Sequence, residues 1–238
     1  MNFKIKLTSI LFLICTCWGY SQTIDNSDLK TFLKKHVSEE GFVNYDKLVR
    51  NKESLDDIVM GLSKISPTST WSSNEVKAYW INVYNINVLK LVSSYYPLKS
   101  IKYIDKPFQV DFISVEGKKV SLDYIENTIM KGLEDPRIYF TLNNTCVSAP
   151  SLNREPYTAE NLELQLETAV KAFVNDTSKN YFSNTTNEAI ISPIFKWHAS
   201  EFKNLITFIN NYLENKQITE QTKLTYSSFD WTLNKETY

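Results

Sequence analysis

The strongest periodic pattern of apolar and polar positions runs from residue 73 to residue 95. Its apolar side chains recur at helical spacing, and Ser73 or Asn74 can cap the first turn. One predicted face, at about 100° per residue, carries Ala78, Ile81, Tyr84, Asn85, Val88 and Val92. Asparagine is a mediocre helix former because its amide competes for backbone hydrogen bonds. We therefore expect Asn82 and Asn85 to bind a neighbouring loop or a ligand.

Weaker patterns predict the remaining elements. Helices are predicted at residues 25–35, 46–65 with a break at Asn51, 121–130, 158–173 and 200–213. Extended segments are predicted at 41–45, 189–192 and 226–233, a hairpin at 108–120, a strand or helix at 138–142 and a loop at 143–154. This mixture lacks a regular alternation of strands and helices. It predicts a single α+β domain, helix-rich with short strands and a hairpin, and not a doubly wound sheet.

Residues 1–22 have the pattern of a secretory signal peptide. Lys4 and Lys6 precede an apolar run that is too short to span a membrane, and cleavage is expected near Gln22. A lipid anchor on Cys17 is a weaker alternative, because the residues before it match a lipobox poorly. The protein is therefore predicted to be periplasmic or secreted. Residues 23–70 are predicted to form a helical segment packed on a main domain at 71–238.

Composition excludes several classes of function. Removing residues 1–22 changes the charge from 26 basic and 27 acidic residues to 24 and 27, a net of -3, and leaves no predicted transmembrane segment. The charges are mixed along the chain, so no basic stripe predicts nucleic-acid binding. Glycines occur singly and the two histidines lie far apart, so we expect neither a nucleotide cofactor nor a metal. Cys146 is the one cysteine left after cleavage, which excludes an internal disulfide.

Several sequence blocks carry a resemblance to a known family. They are AYWINVYN at 78–85, YPLKSI at 96–101, SLDYIE at 121–126, DPRIYF at 135–140, YTAE at 157–160, FVND at 173–176 and SPIFKW at 192–197. In order and spacing, from about residue 76 to 233, they resemble the DUF547 family, whose members are usually described as uncharacterised. Many members carry a cysteine directly before a proline in the loop after DPR. Ala149 stands at that position here, and Cys146 lies three residues earlier.

Cys146 and His198 are the candidate catalytic residues. A thiol, a histidine base and an orienting asparagine are the groups that thiol hydrolases use. The alternative is a buried structural thiol and a half-exposed histidine. The other histidine, His36, is predicted to be solvated on a surface helix.

A second set of residues is predicted to line a polar cleft between the 73–95 helix and the 143–150 loop. Its members are Asn82, Tyr84, Asn85, Arg137, Asn143, Asn144 and Ser148. The alternatives are an amide network that pins loops to the helix, a core position for Tyr84, and a structural ion pair between Arg137 and Glu126.

Three functional hypotheses follow. The first is an exported binding or scaffold domain whose partner is a small polar ligand, a peptide or a glycan. The second is a thiol hydrolase or transferase that resembles papain or transglutaminases and acts on peptide or amide bonds through Cys146. The third is an inactive descendant of such an enzyme, which Ala149 favours. The sequence specifies neither the ligand nor the oligomeric state.

Overall fold

The computed structural model describes residues 24–115, 117–214 and 217–236. The predicted signal peptide and the alternative lipid anchor on Cys17 lie outside these residues. The α-helices are α1 Ser27–His36, α2 Tyr45–Arg50, α3 Lys52–Ser63, α4 Ser73–Tyr95, α5 Leu122–Tyr124, α6 Leu162–Asn175, α7 Ile194–Trp197 and α8 Leu205–Tyr212. The strands are β1 Ile113–Val115, β2 Lys118–Val120, β3 Tyr181–Phe182, β4 Glu188–Ile191 and β5 Lys223–Tyr226. The prediction of a helix-rich α+β domain with a hairpin is confirmed.

Helix α4 forms the centre of the fold. Every residue from 78 to 89 is buried, so the prediction of a single apolar face is wrong, and this helix is enclosed on all sides. Its cap lies one residue before the predicted Ser73. Ser72 Oγ accepts a hydrogen bond from Glu75 N, and Ser72 N donates to the Glu75 carboxylate in return. None of the described helices combines the length and apolar character needed to cross a lipid bilayer.

The first three helices pack against the N-terminal part of this core. Asn51 separates α2 from α3, as predicted. Leu29, Phe32 and Leu55 belong to the same buried cluster as α4. His36 at the end of α1 is 2% exposed, so its predicted solvation is wrong. The apolar face of α1 extends to its last residue, and the His36 ring packs 4.7 Å from that of Phe32.

The strands form two small sheets. β1 and β2 make the predicted antiparallel hairpin, in which Ile113 pairs with Val120. In the second sheet β4 lies between β3 and β5, antiparallel to β3 and parallel to β5. The fifth strand ends at Tyr226, where the predicted extended segment was expected to begin.

Residues after β5 cross the 143–150 loop and hold it in place. Leu233 forms an antiparallel bridge with Cys146, and Val147 N donates to Thr232 O over 2.9 Å. Lys235 bridges in parallel to Val43, which connects the C-terminal segment to the chain before α2. The loop is therefore fixed on both sides, by α4 and by the C-terminal segment.

A π-helix at Ile125–Met130 continues α5. A single wide turn of this kind is rare and often lies at functional sites, because it changes the direction of the side chains it carries. The predicted helix at 121–130 is thus present, with Ser121 as its cap, but its second half has a wider turn. This turn carries Glu126.

Candidate functional site

Asn82 and Asn85 bind the protein's own backbone. The Asn82 amide pairs with Tyr157, donating to its O over 2.8 Å and accepting from its N over 3.0 Å. Asn85 donates to Thr141 O over 2.9 Å and accepts from Asn143 N over 2.8 Å. Both side chains are therefore engaged at the oxygen and at the nitrogen, and they fasten two loops to α4.

Asn143 continues this network towards the C-terminal segment. Its Nδ2 donates to Pro150 O over 2.6 Å, and its Oδ1 accepts from Thr145 N and from Asn234 Nδ2. The Tyr45 hydroxyl donates to Asn234 Oδ1 over 2.8 Å. The chain itself thus occupies the space in which the polar cleft was predicted.

Little room remains beside the asparagines. A cavity of about 10 Å³ is lined in part by Asn82, Asn85 and Leu152, and another of about 60 Å³ is lined in part by Asn82 and Tyr157. Both are far smaller than a typical ligand site. Asn144, the next residue in the loop, has a buried Oδ1 without a hydrogen-bond partner among the described residues, and its backbone O accepts from the Cys146 thiol.

Cys146 has the environment of a structural thiol. It is 1% exposed. Burial, followed by the charge of Asp230, raises the pKa of this thiol to about 12, although Lys102 acts in the opposite direction. A thiol nucleophile needs the opposite, an accessible group with a lowered pKa. The described residues contain no hydrogen bond between Cys146 and His198.

Ser148 and Arg137 occupy separate places. Ser148 Oγ accepts from Asp230 N over 2.9 Å, so it faces the C-terminal segment. The alternative prediction, an ion pair between Arg137 and Glu126, is wrong. Arg137 binds Asp135 through two nitrogens and contacts Glu163 and Glu167 through Nη1.

This arginine belongs to a saturated charge network at the start of the 3₁₀ turn Pro136–Phe140. Burial acts to raise the pKa of Asp135, but hydrogen bonds from Arg137 and Lys77 outweigh it and lower the pKa to about 2. With its donors engaged by carboxylates, Arg137 has the contacts of a structural residue.

Tyr84 and His198 are brought together by Glu126. The Tyr84 hydroxyl donates to Glu126 Oε2 over 2.9 Å, and His198 Nε2 lies 3.3 Å from Glu126 Oε1. The imidazole stacks on Tyr139, with 3.6 Å between the ring centroids. Burial, followed by the charge of Glu126, raises the pKa of Tyr84 well above its ordinary value.

This cluster has hydrogen-bonding capacity to spare. The Glu126 side chain is 24% exposed. Its carboxylate can accept about four hydrogen bonds, and it contacts one donor on Tyr84 and one nitrogen of His198. The described residues provide no hydrogen-bond partner for Nδ1 of His198. The Glu126 carboxylate is therefore partly accessible at this edge, whereas His198 is 9% exposed and lies behind it against Tyr139.

An aromatic surface adjoins His198 along the chain, formed by Trp197, Phe229 and Trp231. Phe229 lies 4.9 Å from Trp197 and 4.6 Å from Trp231, measured between ring centroids. Trp197 is 48% exposed. The ammonium group of Lys102 lies 4.5 Å from the centroid of Trp231 and covers one face of that ring.

Four residues described here, Glu126, Trp197, Phe229 and Trp231, were not among the sequence candidates for a site. Glu126 was considered only as a partner of Arg137, and the aromatic residues Trp197, Phe229 and Trp231 only as parts of wider patterns. The alternation of Phe229 and Trp231 in a predicted extended segment indicates that both rings lie on one face of it. It does not indicate that this face meets Trp197. The described residues contain no group of three or more His, Cys, Asp or Glu side chains arranged to hold a metal ion.

Comparison with known proteins identifies the central part of the chain. The model of the family described as "Protein of unknown function, DUF547" matches residues 68–174. The match includes the asparagine network of α4, Glu126 and Cys146, and it ends before His198 and the aromatic surface. No curated protein and no solved structure matches the chain. Residues 68–174 therefore carry the sequence pattern of the DUF547 family.

Proposed function

We propose that the protein is an exported binding domain that holds a glycan on the aromatic surface formed by Trp197, Phe229 and Trp231. The observation that carries this proposal is the 48% exposure of Trp197 while its ring lies within 5.9 Å of two other aromatic rings. Exposed clusters of large apolar side chains are uncommon on monomeric proteins and mark interaction sites.

A sugar ring suits this surface chemically. The face of an aromatic ring carries partial negative charge, and it attracts the partially positive C–H groups on the apolar face of a pyranose. Sugar hydroxyls also need hydrogen-bonding groups at the edge of the stack. His198 directly follows Trp197 in the chain and contacts Glu126, and Asp230 provides an exposed carboxylate on the segment that carries Phe229 and Trp231.

The asparagines have a supporting role in this proposal. Asn85 and Asn143 hold the 143–150 loop, and this loop in turn holds the C-terminal segment that carries Phe229 and Trp231. In this proposal Asn82, Asn85 and Asn143 hold backbone segments through their side-chain amides and do not contact the ligand. Asn144 Oδ1 makes no such hydrogen bond. We do not propose a thiol hydrolase, because the Cys146 thiol is buried and its pKa is raised.

Export is the second part of the proposal and rests on the sequence of residues 1–22. Expression of the full chain in a bacterial host with an outer membrane, followed by fractionation and N-terminal sequencing, tests it. Export predicts a processed protein outside the cytoplasm that begins near Thr23. A full-length cytoplasmic protein that retains Met1 would overturn the export proposal. A mature protein that begins with a lipid-modified Cys17 would show that it is a lipid-anchored protein and is not cleaved near Gln22.

Glycan binding is tested by titrating soluble oligosaccharides of glucose and of N-acetylglucosamine into the purified protein and following tryptophan fluorescence. Trp197→Ala is expected to weaken binding by about tenfold or more. Tyr181→Ala is the matched control, because Tyr181 is 57% exposed, lies in β3 and has no ring contact with Trp197, Phe229 or Trp231 among the described residues. Equal affinities for both variants, or binding of a peptide in place of every oligosaccharide, would overturn the proposal.

A further inference from the structure

A groove between α1 and α3 lies outside the family match and outside the aromatic surface. It encloses about 550 Å³, a volume typical of ligand sites. Leu29, Phe32, Ile58 and Leu62 form its floor, and each is buried by the two helices. The groove is therefore apolar at its base and open to solvent above.

The rim of the groove is acidic. Asp25, Asp28, Glu53 and Asp57 line it, against a single lining cation, Lys35. Asp28, Glu53 and Asp57 are exposed, and the described residues provide no ion pair or side-chain hydrogen bond for them. Lys35 donates to Asn51 Oδ1 over 3.1 Å. The rim thus has an excess of uncompensated negative charge around an apolar floor.

Gly61 adds an independent observation. It lies within α3 and lines the groove, and it does not have a positive φ. A Cβ atom added at Gly61 would meet nothing within 4 Å. Glycine weakens a helix relative to alanine, and neither backbone conformation nor packing among the described residues requires it here. Its effect is to keep the groove open at this point.

From these features we infer that the α1–α3 groove is a docking site for a cationic amphipathic segment of a partner protein. Apolar side chains of the partner enter beside Gly61 and contact the floor, while its lysines or arginines lie against Asp28, Glu53 and Asp57. This is the helix-in-groove mode of recognition, in which apolar anchors provide affinity and complementary charges set orientation. The site is independent of the aromatic surface.

The probe is a synthetic peptide with leucine on one helical face and lysine on the other, and binding to the purified exported protein is measured by calorimetry at two salt concentrations. Gly61→Trp fills the open space and is expected to weaken binding by about tenfold or more. Asp28→Asn and Asp57→Asn are each expected to weaken it about two- to fivefold at low salt and less at high salt.

Gly132→Trp is the matched control. Gly132 also has nothing within 4 Å of an added Cβ, and it lies in the 3₁₀ turn Lys131–Leu133, far along the chain from the groove. It should bind the peptide as the unmodified protein does. A peptide with glutamate in place of lysine should not bind. Equal binding of the peptide by Gly61→Trp and Gly132→Trp would overturn the inference. A concentration-dependent dimer that only Gly61→Trp abolishes would also overturn it, because a second copy of the chain would then occupy the groove.

Discussion

The asparagines of α4 and the Glu126–His198 pair are both polar groups beside a buried helix, yet their atoms are used differently. The amides of Asn82 and Asn85 each donate to one backbone oxygen and accept from one backbone nitrogen. The Glu126 side chain is 24% exposed and keeps acceptor capacity, and the buried His198 beside it has no hydrogen-bond partner for Nδ1 among the described residues. The first group is closed within the protein, and the second is open to another molecule.

This difference separates a structural role from a binding role better than residue type does. A buried amide with both atoms engaged gains nothing from a ligand, and its loss leaves buried backbone groups unsatisfied. A partly exposed carboxylate can exchange water for a ligand at small cost to the fold. Substitution should therefore damage stability in the first group and affinity in the second.

Asn85→Ala should have the largest effect on stability. It leaves Thr141 O and Asn143 N without partners in the core. Two buried groups at about 1–3 kcal/mol each predict a loss of roughly 2–6 kcal/mol in the free energy of unfolding. Urea denaturation followed by circular dichroism measures it.

Asn127→Ala is the control for this substitution. Asn127 is exposed on the π-helix, and within the described part of the chain its side chain binds only Asp123. Its loss should cost less than about 0.5 kcal/mol. Comparable losses for the two variants would show that the closed network does not stabilise the fold as described.

Alkylation of the Cys146 thiol tests whether the same region is closed to solvent. Because burial raises the pKa of its thiol to about 12, the thiolate population at pH 8 should be about a thousandfold below that of an ordinary cysteine. Alkylation should accordingly be slow in the native protein and fast after unfolding in urea. Rapid native labelling that depends on His198 would reverse this conclusion and restore the thiol-enzyme hypothesis.

His36 represents a third condition, a buried polar side chain with no partner for either ring nitrogen among the described residues. Burial, with the charges of Lys35 and Lys47, lowers its pKa to about 4. Above the unfolded-state pKa, near 6.5, the neutral ring contributes fully to stability. As the pH falls from about 6.5 towards 4, His36 becomes protonated in the unfolded chain but stays neutral in the folded chain. The free energy of unfolding therefore decreases over this range.

The loss attributable to His36 should be roughly 2–3 kcal/mol between pH 7.5 and pH 4.5. It is measured as the change in unfolding free energy of the unmodified protein minus the change in His36→Leu, so that effects of the carboxylates cancel. Leucine keeps an apolar contact with Phe32. An equal pH dependence in both proteins would mean that the folded chain accommodates the protonated ring.

Sequence patterns predicted the elements of this fold well where the signal was local. The bounds of α4 and the break at Asn51 agree with the structure because capping and helix-breaking residues act within a few positions. The burial of α4 on all sides did not follow from its pattern. It depends on α1–α3, the π-helix and the 141–157 region, all of which pack around it from distant parts of the chain.

The site was less predictable for the same reason. The sequence singled out Asn82, Asn85 and Asn143, but whether an amide meets a ligand or the backbone depends on contacts between residues far apart. Asn82 and Tyr157, for example, are separated by 75 positions. The meeting of Trp197 with Phe229 and Trp231 is equally non-local, and no pattern within either segment encodes it.

Glu126→Gln should have a smaller effect on stability than Asn85→Ala, and it is the sharpest test of the comparison. The glutamine oxygen still accepts from the Tyr84 hydroxyl, so the unfolding free energy should change by less than about 1 kcal/mol. Oligosaccharide affinity should fall severalfold, because hydrogen bonds to a charged group are roughly twice as strong as neutral ones. Fluorescence titration and urea denaturation of the same preparation separate the two effects. If stability fell as far as in Asn85→Ala while affinity stayed unchanged, Glu126 would belong to the closed structural network, and the open edge of the aromatic surface would end at Trp197.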